Sequence, residues 1–127
     1  MTEGGPTTEP VIRITAMPAD ANAYGDIFGG WLLSLMDMGA GLIAARTSRS
    51  RAVTVAMDAV QFHLPVKVGD EVSVYGRLVK TGRSSMVIQT EAWRRPRHEE
   101  VETKVTEAEF TFVAVDAEGR PRAACQE

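Results

Sequence analysis

The most informative residue of this chain is a single carboxylate, Asp37, in the middle of a long apolar segment that follows a glycine-rich turn. Apolar residues continue around all sides of the predicted helix, a pattern typical of a buried helix. Burying an unpaired carboxylate is costly, so a buried aspartate usually has a partner or a chemical task. Asp37 is therefore a candidate general base. The alternative is a partly exposed helix residue paired with an arginine.

The residues beside Asp37 on the predicted helix are small or only moderately large. Helical spacing puts Leu33, Ser34, Ala40 and Gly41 on the same face. The small side chains predict space beside the carboxylate, either for a ligand or for a second chain that lies close.

A second candidate group precedes the helix. Asp26 is predicted to cap it, and Gly29 and Gly30 are predicted to lie at its start. Free N–H groups at a helix start can bind an anion or a developing oxyanion, and glycines let a ligand approach the backbone. The alternative is an ordinary cap with two turn glycines. Phe28, Trp31 and Met36 either line an acyl tunnel or belong to the core.

A third candidate group is the basic hairpin with Arg83, Ser84 and Ser85, whose charge and hydroxyls could hold phosphates. The alternative is a solvated turn. His63 and His98 have no partner visible in the sequence, so a metal site is not expected. Neither a phosphate-binding glycine loop nor a nucleophile elbow is present.

The elements that must position these residues are one strand, one long helix and then four strands. One helix against one antiparallel sheet is an α+β architecture, with the last four strands expected to form a meander. The two free sheet edges would be covered if two copies joined their sheets edge to edge. The predicted strands are 10–16, 53–62, 71–79, 85–93 and 101–115, and the predicted helix is 28–46.

Composition limits the functional classes. The 127 residues fit one domain, predicted at 10–122 with a disordered tail at 1–9 and a short tail at 123–127. A net charge of −3 gives no general attraction to nucleic acid or to an anionic membrane. The single cysteine, Cys125, cannot form an internal disulfide, and the N-terminal residues do not resemble a signal peptide. A cytoplasmic protein is expected.

Four motifs together resemble the YciA-type acyl-CoA thioesterases of the hotdog-fold superfamily. They are Asn-x-x-Gly-Asp-x-x-Gly-Gly at 22–30, Met-Asp at 36–37, a Phe and then Pro-Val-x-Val-Gly-Asp at 62–70, and Gly-Arg-Ser-Ser at 82–85. The resemblance implies a hotdog fold, in which a curled antiparallel sheet wraps one long central helix. It also implies homodimers with the site at their interface, often assembled as trimers of dimers, and hydrolysis of an acyl-CoA to free acid and CoA without a cofactor.

The resemblance also implies roles for individual residues. Asp37 would be the base that activates water, or the nucleophile itself. Asp26 would position the reactants, and Asn22 would orient the water or the thioester. The backbone N–H of Gly29 or Gly30 would polarise the carbonyl. Eight residues separate Gly29 from Asp37, about 12 Å along a helix. The site must therefore combine two subunits, or water or the acyl group must bridge the gap.

The remaining roles concern substrate binding. The resemblance assigns a CoA phosphate to Arg83 and further hydrogen bonds to Ser84 or Ser85. The strand that ends at Phe62 would run beside the pantetheine arm, and Phe28 and Trp31 would bound an acyl pocket.

Two other functions remain open at this point. A non-catalytic acyl-CoA sensor on the same fold would normally carry a further regulatory domain and would not need the helix carboxylate. A hotdog dehydratase or hydratase would be expected to have a catalytic histidine beside an acid, and neither His63 nor His98 lies in such a motif.

Overall fold

One long helix and five strands form the protein. The computed structural model describes residues 8–124, so most of the predicted N-terminal tail, and Cys125 with the residues after it, lie outside the described range. All strands and the helix predicted from the sequence are present. The strands are β1 Ile12–Thr15, β2 Arg51–Phe62, β3 Glu71–Thr81, β4 Ser85–Arg95 and β5 Thr103–Val115; the helix α1 is Gly29–Ser48, preceded by a 3₁₀ turn at Pro18–Asp20.

The sheet is antiparallel throughout, with the strand order β1-β3-β4-β5-β2. The predicted four-strand meander is therefore wrong in one respect. Strands β3, β4 and β5 form a meander, but β2 pairs with β5 and not with β3. The reason is that β1 occupies the free side of β3, which leaves β2 to close the opposite side of the sheet. β2 is an edge strand as a result.

The helix begins differently from the prediction. Its N-cap residue is Phe28, and no side chain makes a capping hydrogen bond there. The predicted cap, Asp26, is wrong because its carboxylate forms an ion pair with Lys67, and the backbones of the two residues form a β-bridge. At the other end the helix continues to Ser48 and stops at Arg49, which adopts the left-handed conformation.

One face of α1 is buried against the sheet and the opposite face is exposed. The prediction of a helix buried on all sides is thus wrong for the single chain, because Met38 is 53% exposed and Leu42 is 42% exposed. Asp37 lies between the two faces and is half-buried. The buried residues of the helix are Leu32, Leu35, Met36, Gly39, Ala40, Ala44 and Ser48.

The helix lies very close to the sheet at two glycines. A Cβ atom on Gly39 would be 2.8 Å from Val11 Cγ2 and 3.1 Å from Val74 Cγ1. A Cβ atom on Gly76, in β3, would be 2.8 Å from Ile43 Cδ1. Side chains at these two positions would push the helix away from the strands, so the spacing of the two layers depends on their absence.

Two irregularities interrupt β2. Its pairing with β5 shifts register between Thr54 and Ala56 and again between Asp58 and Gln61. Ala59, inside the second irregularity, has a φ of 53°, which is uncommon for a residue with a side chain. Bulges of this kind bend a strand and redirect its side chains. After the second one, the ring of Phe62 lies against the start of α1.

The chain after β5 stays packed on the body of the protein. Pro121 forms a β-bridge with Val115, and Arg122 donates its backbone N–H to the carbonyl of Ala114. Ala124 is fully buried, and its N–H donates to the carbonyl of Arg83 at 2.8 Å. None of the helices within residues 8–124 is long and apolar enough to span a bilayer.

The close contact at Gly39 can be tested with two alanine substitutions in the same helix. Gly39→Ala forces its Cβ into Val11, whereas the Cβ of Gly41→Ala would meet the Phe112 ring at an ordinary 3.5 Å. Both variants gain the same helix propensity, so their difference isolates overpacking. We expect Gly39→Ala to have a free energy of unfolding about 1–3 kcal/mol below that of Gly41→Ala in urea titrations. Equal stabilities would show that the helix can move away from the sheet without cost.

Candidate active site

Within residues 8–124, one side chain hydrogen-bonds to Asp37, and it belongs to the sheet. Asp37 Oδ1 accepts a hydrogen bond of 2.6 Å from Thr54 Oγ1, in β2. This length is typical of a hydroxyl that donates to an ionised carboxylate. The alternative that the sequence left open, an ion pair between Asp37 and an arginine, is therefore not observed within residues 8–124. Asp37 is held by a neutral donor, so its negative charge is not cancelled by a neighbouring cation.

Two of the small residues next to Asp37, Ala40 and Gly41, serve the packing of the helix. Ala40 is fully buried, and a Cβ on Gly41 would be in ordinary contact with Phe112. The sheet of the same chain fills the space that was predicted for a ligand on this side. On the other side of Asp37, Ser34 and Met38 are exposed, and this is the side from which a ligand or a second subunit can reach the carboxylate.

A cleft of about 400 Å³ lies at the start of α1 and brings three of the predicted residues together. Asp26, Gly29 and Phe62 line it, along with His63 and the segment that follows. A Cβ on Gly29 would lie 3.1 Å from the Phe62 ring, so glycine at this position lets the ring approach the helix start. The ring is 52% exposed and can contact a ligand in the cleft.

Asn22 builds the loop that carries Asp26. Its side-chain Oδ1 accepts hydrogen bonds from the backbone N–H groups of Tyr24, at 2.8 Å, and Asp26, at 3.1 Å. Its backbone N–H donates to the carbonyl of Asp26 at 2.7 Å. The carbonyl oxygen of this side chain is thus used within the loop, which leaves the amide NH₂ group for a ligand.

The first residues of α1 are open to solvent. Phe28 is exposed, Trp31 is half-buried, and open space surrounds the position that a Cβ would take on Gly30. The first N–H groups of any helix lack a carbonyl acceptor one turn earlier. Exposed N–H donors without side-chain cover can accept an anionic oxygen from outside.

The hairpin with Arg83, Ser84 and Ser85 lies near the other end of the sheet. Ser85 is opposite Val113, which is opposite Val53 near the start of β2, whereas Phe62 ends that strand. Nine residues of strand span roughly 30 Å. Arg83 is exposed and both serines are half-buried. Within one chain the cleft and this hairpin are therefore far apart. Thr54, the partner of Asp37, is opposite Phe112, which is opposite Met86, so Asp37 lies at the hairpin's end of the sheet.

His63 has a partner that the sequence did not reveal. Its Nε2 lies 2.7 Å from Glu107 Oε2, across the β2–β5 pair. The pKa of Glu107 is lowered, chiefly because His63 donates to the carboxylate, and further by the positive charge of Lys104; burial opposes both. Only the strand pairing brings residues 44 positions apart together. No cluster of three metal-ligating acids, histidines or cysteines occurs between residues 8 and 124.

The fold agrees with the comparison to known proteins. Residues 24–101 match the model of the thioesterase superfamily. This chain belongs to the thioesterase superfamily. The resemblance of its motifs to the YciA-type enzymes, and the hotdog fold that this implies, are thereby confirmed.

Individual relatives cover almost the whole chain. It is 56% identical to an uncharacterised acyl-CoA thioester hydrolase of Zymomonas mobilis, over 91% of this chain and 78% of the relative. It is 46% identical to the acyl-CoA thioester hydrolase YciA of Escherichia coli, over 96% and 95%. A solved hexameric broad-specificity acyl-coenzyme A thioesterase, studied as an aspartate-to-alanine mutant, has 45% identity and a TM-score of 0.89 over 93% of this chain and 87% of its own.

Because His63 contacts Glu107, we expect the stability of the fold to depend on the ionisation of Glu107 at acidic pH. The folded pKa of Glu107 is lower than its ordinary value of about 4.5, so the contact stabilises the fold above that pH. This stabilisation is lost as the pH falls through the lowered pKa that Glu107 has in the folded protein. We expect the free energy of unfolding to fall less steeply between pH 6 and pH 3 in Glu107→Gln than in the wild type.

Urea titrations at a series of pH values measure this slope. Glu118→Gln, at an exposed glutamate in the last turn, is the matched control for the loss of one carboxylate. An acid slope for Glu107→Gln equal to that of the wild type would contradict the assignment.

Proposed function

We propose that this protein hydrolyses acyl-CoA thioesters to free acid and CoA, with Asp37 as the base that activates water. The observation that carries the proposal is a half-buried carboxylate on the central helix, held by one neutral hydroxyl and reachable from its exposed side. The relatives support the substrate class, since those of Zymomonas mobilis and Escherichia coli are named acyl-CoA thioester hydrolases.

The chemistry needs only water and a base. Asp37 takes a proton from water as the water oxygen attacks the thioester carbonyl carbon. The C–S bond then breaks, and the proton passes to the departing CoA sulfur, which gives the free acid and the thiol. Direct attack by the Asp37 carboxylate is the alternative, and it depends on the same side chain. Neither route calls for a metal or a cofactor.

The other predicted residues are assigned by what their surroundings allow. The exposed N–H groups at Gly29 and Gly30 stabilise the oxyanion. Asn22 and Asp26 shape the loop at the helix start, and so they position the thioester and do not act as bases. Phe62, which lines the cleft, and Phe28 and Trp31, at the start of α1, receive the acyl chain or the pantetheine arm. The basic hairpin of Arg83, Ser84 and Ser85 receives a CoA phosphate.

A second copy of the chain is needed to complete this site. Along one helix Gly29 and Asp37 are about 12 Å apart, too far for both to act on one thioester. β2 is a free sheet edge, and its residues Val53, Val55 and Met57 are exposed. We propose that two protomers pair along β2, so that the helix start of one faces Asp37 of the other. Three such dimers would form a hexamer, the state named for the solved relative.

The function can be tested by following free thiol release from short, long and aromatic acyl-CoA substrates. We expect the wild type to hydrolyse several of them and Asp37→Asn to lose about 100-fold or more in kcat, because removing a general base typically costs this much. Circular dichroism checks that the variant is folded. A folded Asp37→Asn enzyme that keeps most of its turnover would rule out this mechanism. Binding of CoA esters to the wild type without hydrolysis would favour the alternative function, a non-catalytic acyl-CoA sensor.

The β2 contact can be tested by sedimentation velocity. Val55→Lys places a charge on the exposed edge, so we expect it to shift the protein from the assembled form towards smaller species and to lower thioesterase activity. Val101→Lys, at an exposed valine between β4 and β5, is the matched control and should sediment as the wild type does. An unchanged assembly in Val55→Lys would argue against the proposed interface.

A further inference from the structure

Thr54 is the one side chain in the described part of the chain that hydrogen-bonds to Asp37. An ionised carboxylate can only accept, so the threonine hydroxyl must be the donor. The bond uses Oδ1, which leaves Oδ2 without a protein donor within residues 8–124. The two oxygens of Asp37 are therefore not equivalent, and only one is directed by the protein.

The fold fixes the position of this hydroxyl. Thr54 is opposite Phe112, whose side chain is buried beneath α1, so both side chains lie on the helix side of the sheet. The register shift of β2 comes directly after Thr54. Threonine is branched at Cβ, which restricts its χ1 rotation. A restricted side chain on a paired strand is a more rigid donor than one on a loop.

The contact contributes little to stability. Thr54 is exposed in the single chain, where water competes for its hydroxyl and reduces what the hydrogen bond adds to folding. Orientation has a larger effect on a reaction, because a misplacement of about 1 Å can cost on the order of 100-fold in rate. A short, directed hydrogen bond at this carboxylate is thus better explained by its effect on Asp37 than by its effect on the fold.

We propose that Thr54 is a positioning residue for Asp37. Its hydroxyl binds Oδ1 and fixes the plane of the carboxylate, so that Oδ2 faces the water that attacks the thioester. Thr54 does not touch the substrate carbonyl in this arrangement and acts only through Asp37. The inference rests on the proposed thioesterase function, which the Asp37→Asn measurement tests separately.

Three threonine variants and one double mutant test the role of Thr54. Thr54→Val keeps the shape and removes the hydroxyl, while Thr54→Ser keeps the hydroxyl. With the acyl-CoA that the wild type hydrolyses fastest, we expect Thr54→Val to lower kcat by about 10- to 100-fold, with KM changed by less than about threefold. Thr54→Ser should stay within about threefold of the wild type. Thr111→Val, on the neighbouring strand β5, is the matched control and should leave both constants unchanged.

The double mutant shows whether Thr54 acts through Asp37. If it does, Thr54→Val should have no further effect in the Asp37→Asn background, whereas independent effects would multiply. Melting temperatures of all variants identify any that fail to fold. If Thr54→Val does not fold, the test depends on the activity of Thr54→Ser. Wild-type activity combined with a Thr54→Val variant of unchanged kcat, or with a Thr54→Ser variant as impaired as valine, would overturn the assignment. An inactive wild type would instead refute the thioesterase function itself.

Discussion

The close contact between the helix and the sheet fixes where everything else can lie. At Gly39 and Gly76 the two layers are so near that an added Cβ would lie 2.8 Å from a side-chain atom of the other layer, which restricts the height and rotation of the helix above the strands. Asp37 is two residues before Gly39. The same contact that buries one face of α1 therefore places this carboxylate at the border of the core, level with Thr54 on the edge strand. A looser helix would leave the carboxylate free in solvent.

Much of the fold was predictable from local patterns. The strand predicted at 101–115 is present as β5, and its alternate residues Ala108, Phe110 and Phe112 are all buried. The apolar segment after the glycine turn predicted the helix within a few residues at each end. Asp37 stood out because a charge interrupts that segment. These features depend on residues close together in the chain, and a single sequence records them directly.

Apart from the exposed face of α1, the errors concern partners that are distant in the sequence. β2 pairs with β5 because β1 already occupies the free edge of β3, and no local sequence pattern predicts that arrangement. Asp26 has the right residue type for a cap, but its carboxylate pairs with Lys67, 41 positions later in the chain. Glu107 and Thr54 were missed for the same reason, since each meets its partner only when the sheet has formed. Their residue types alone do not separate them from ordinary surface side chains.

The irregular edge of β2 also bears on which chains can join it. A flat, regular edge strand accepts almost any extended segment and is a hazard for aggregation. The register shifts after Thr54 and Asp58, with the left-handed Ala59 between the strand's regular parts, give this edge a bent outline. A strand with straight geometry cannot keep its hydrogen bonds along such an edge. In the proposed dimer the partner strand is a second copy of β2 with the same bends, so the irregular outline would favour pairing with itself over the addition of unrelated strands.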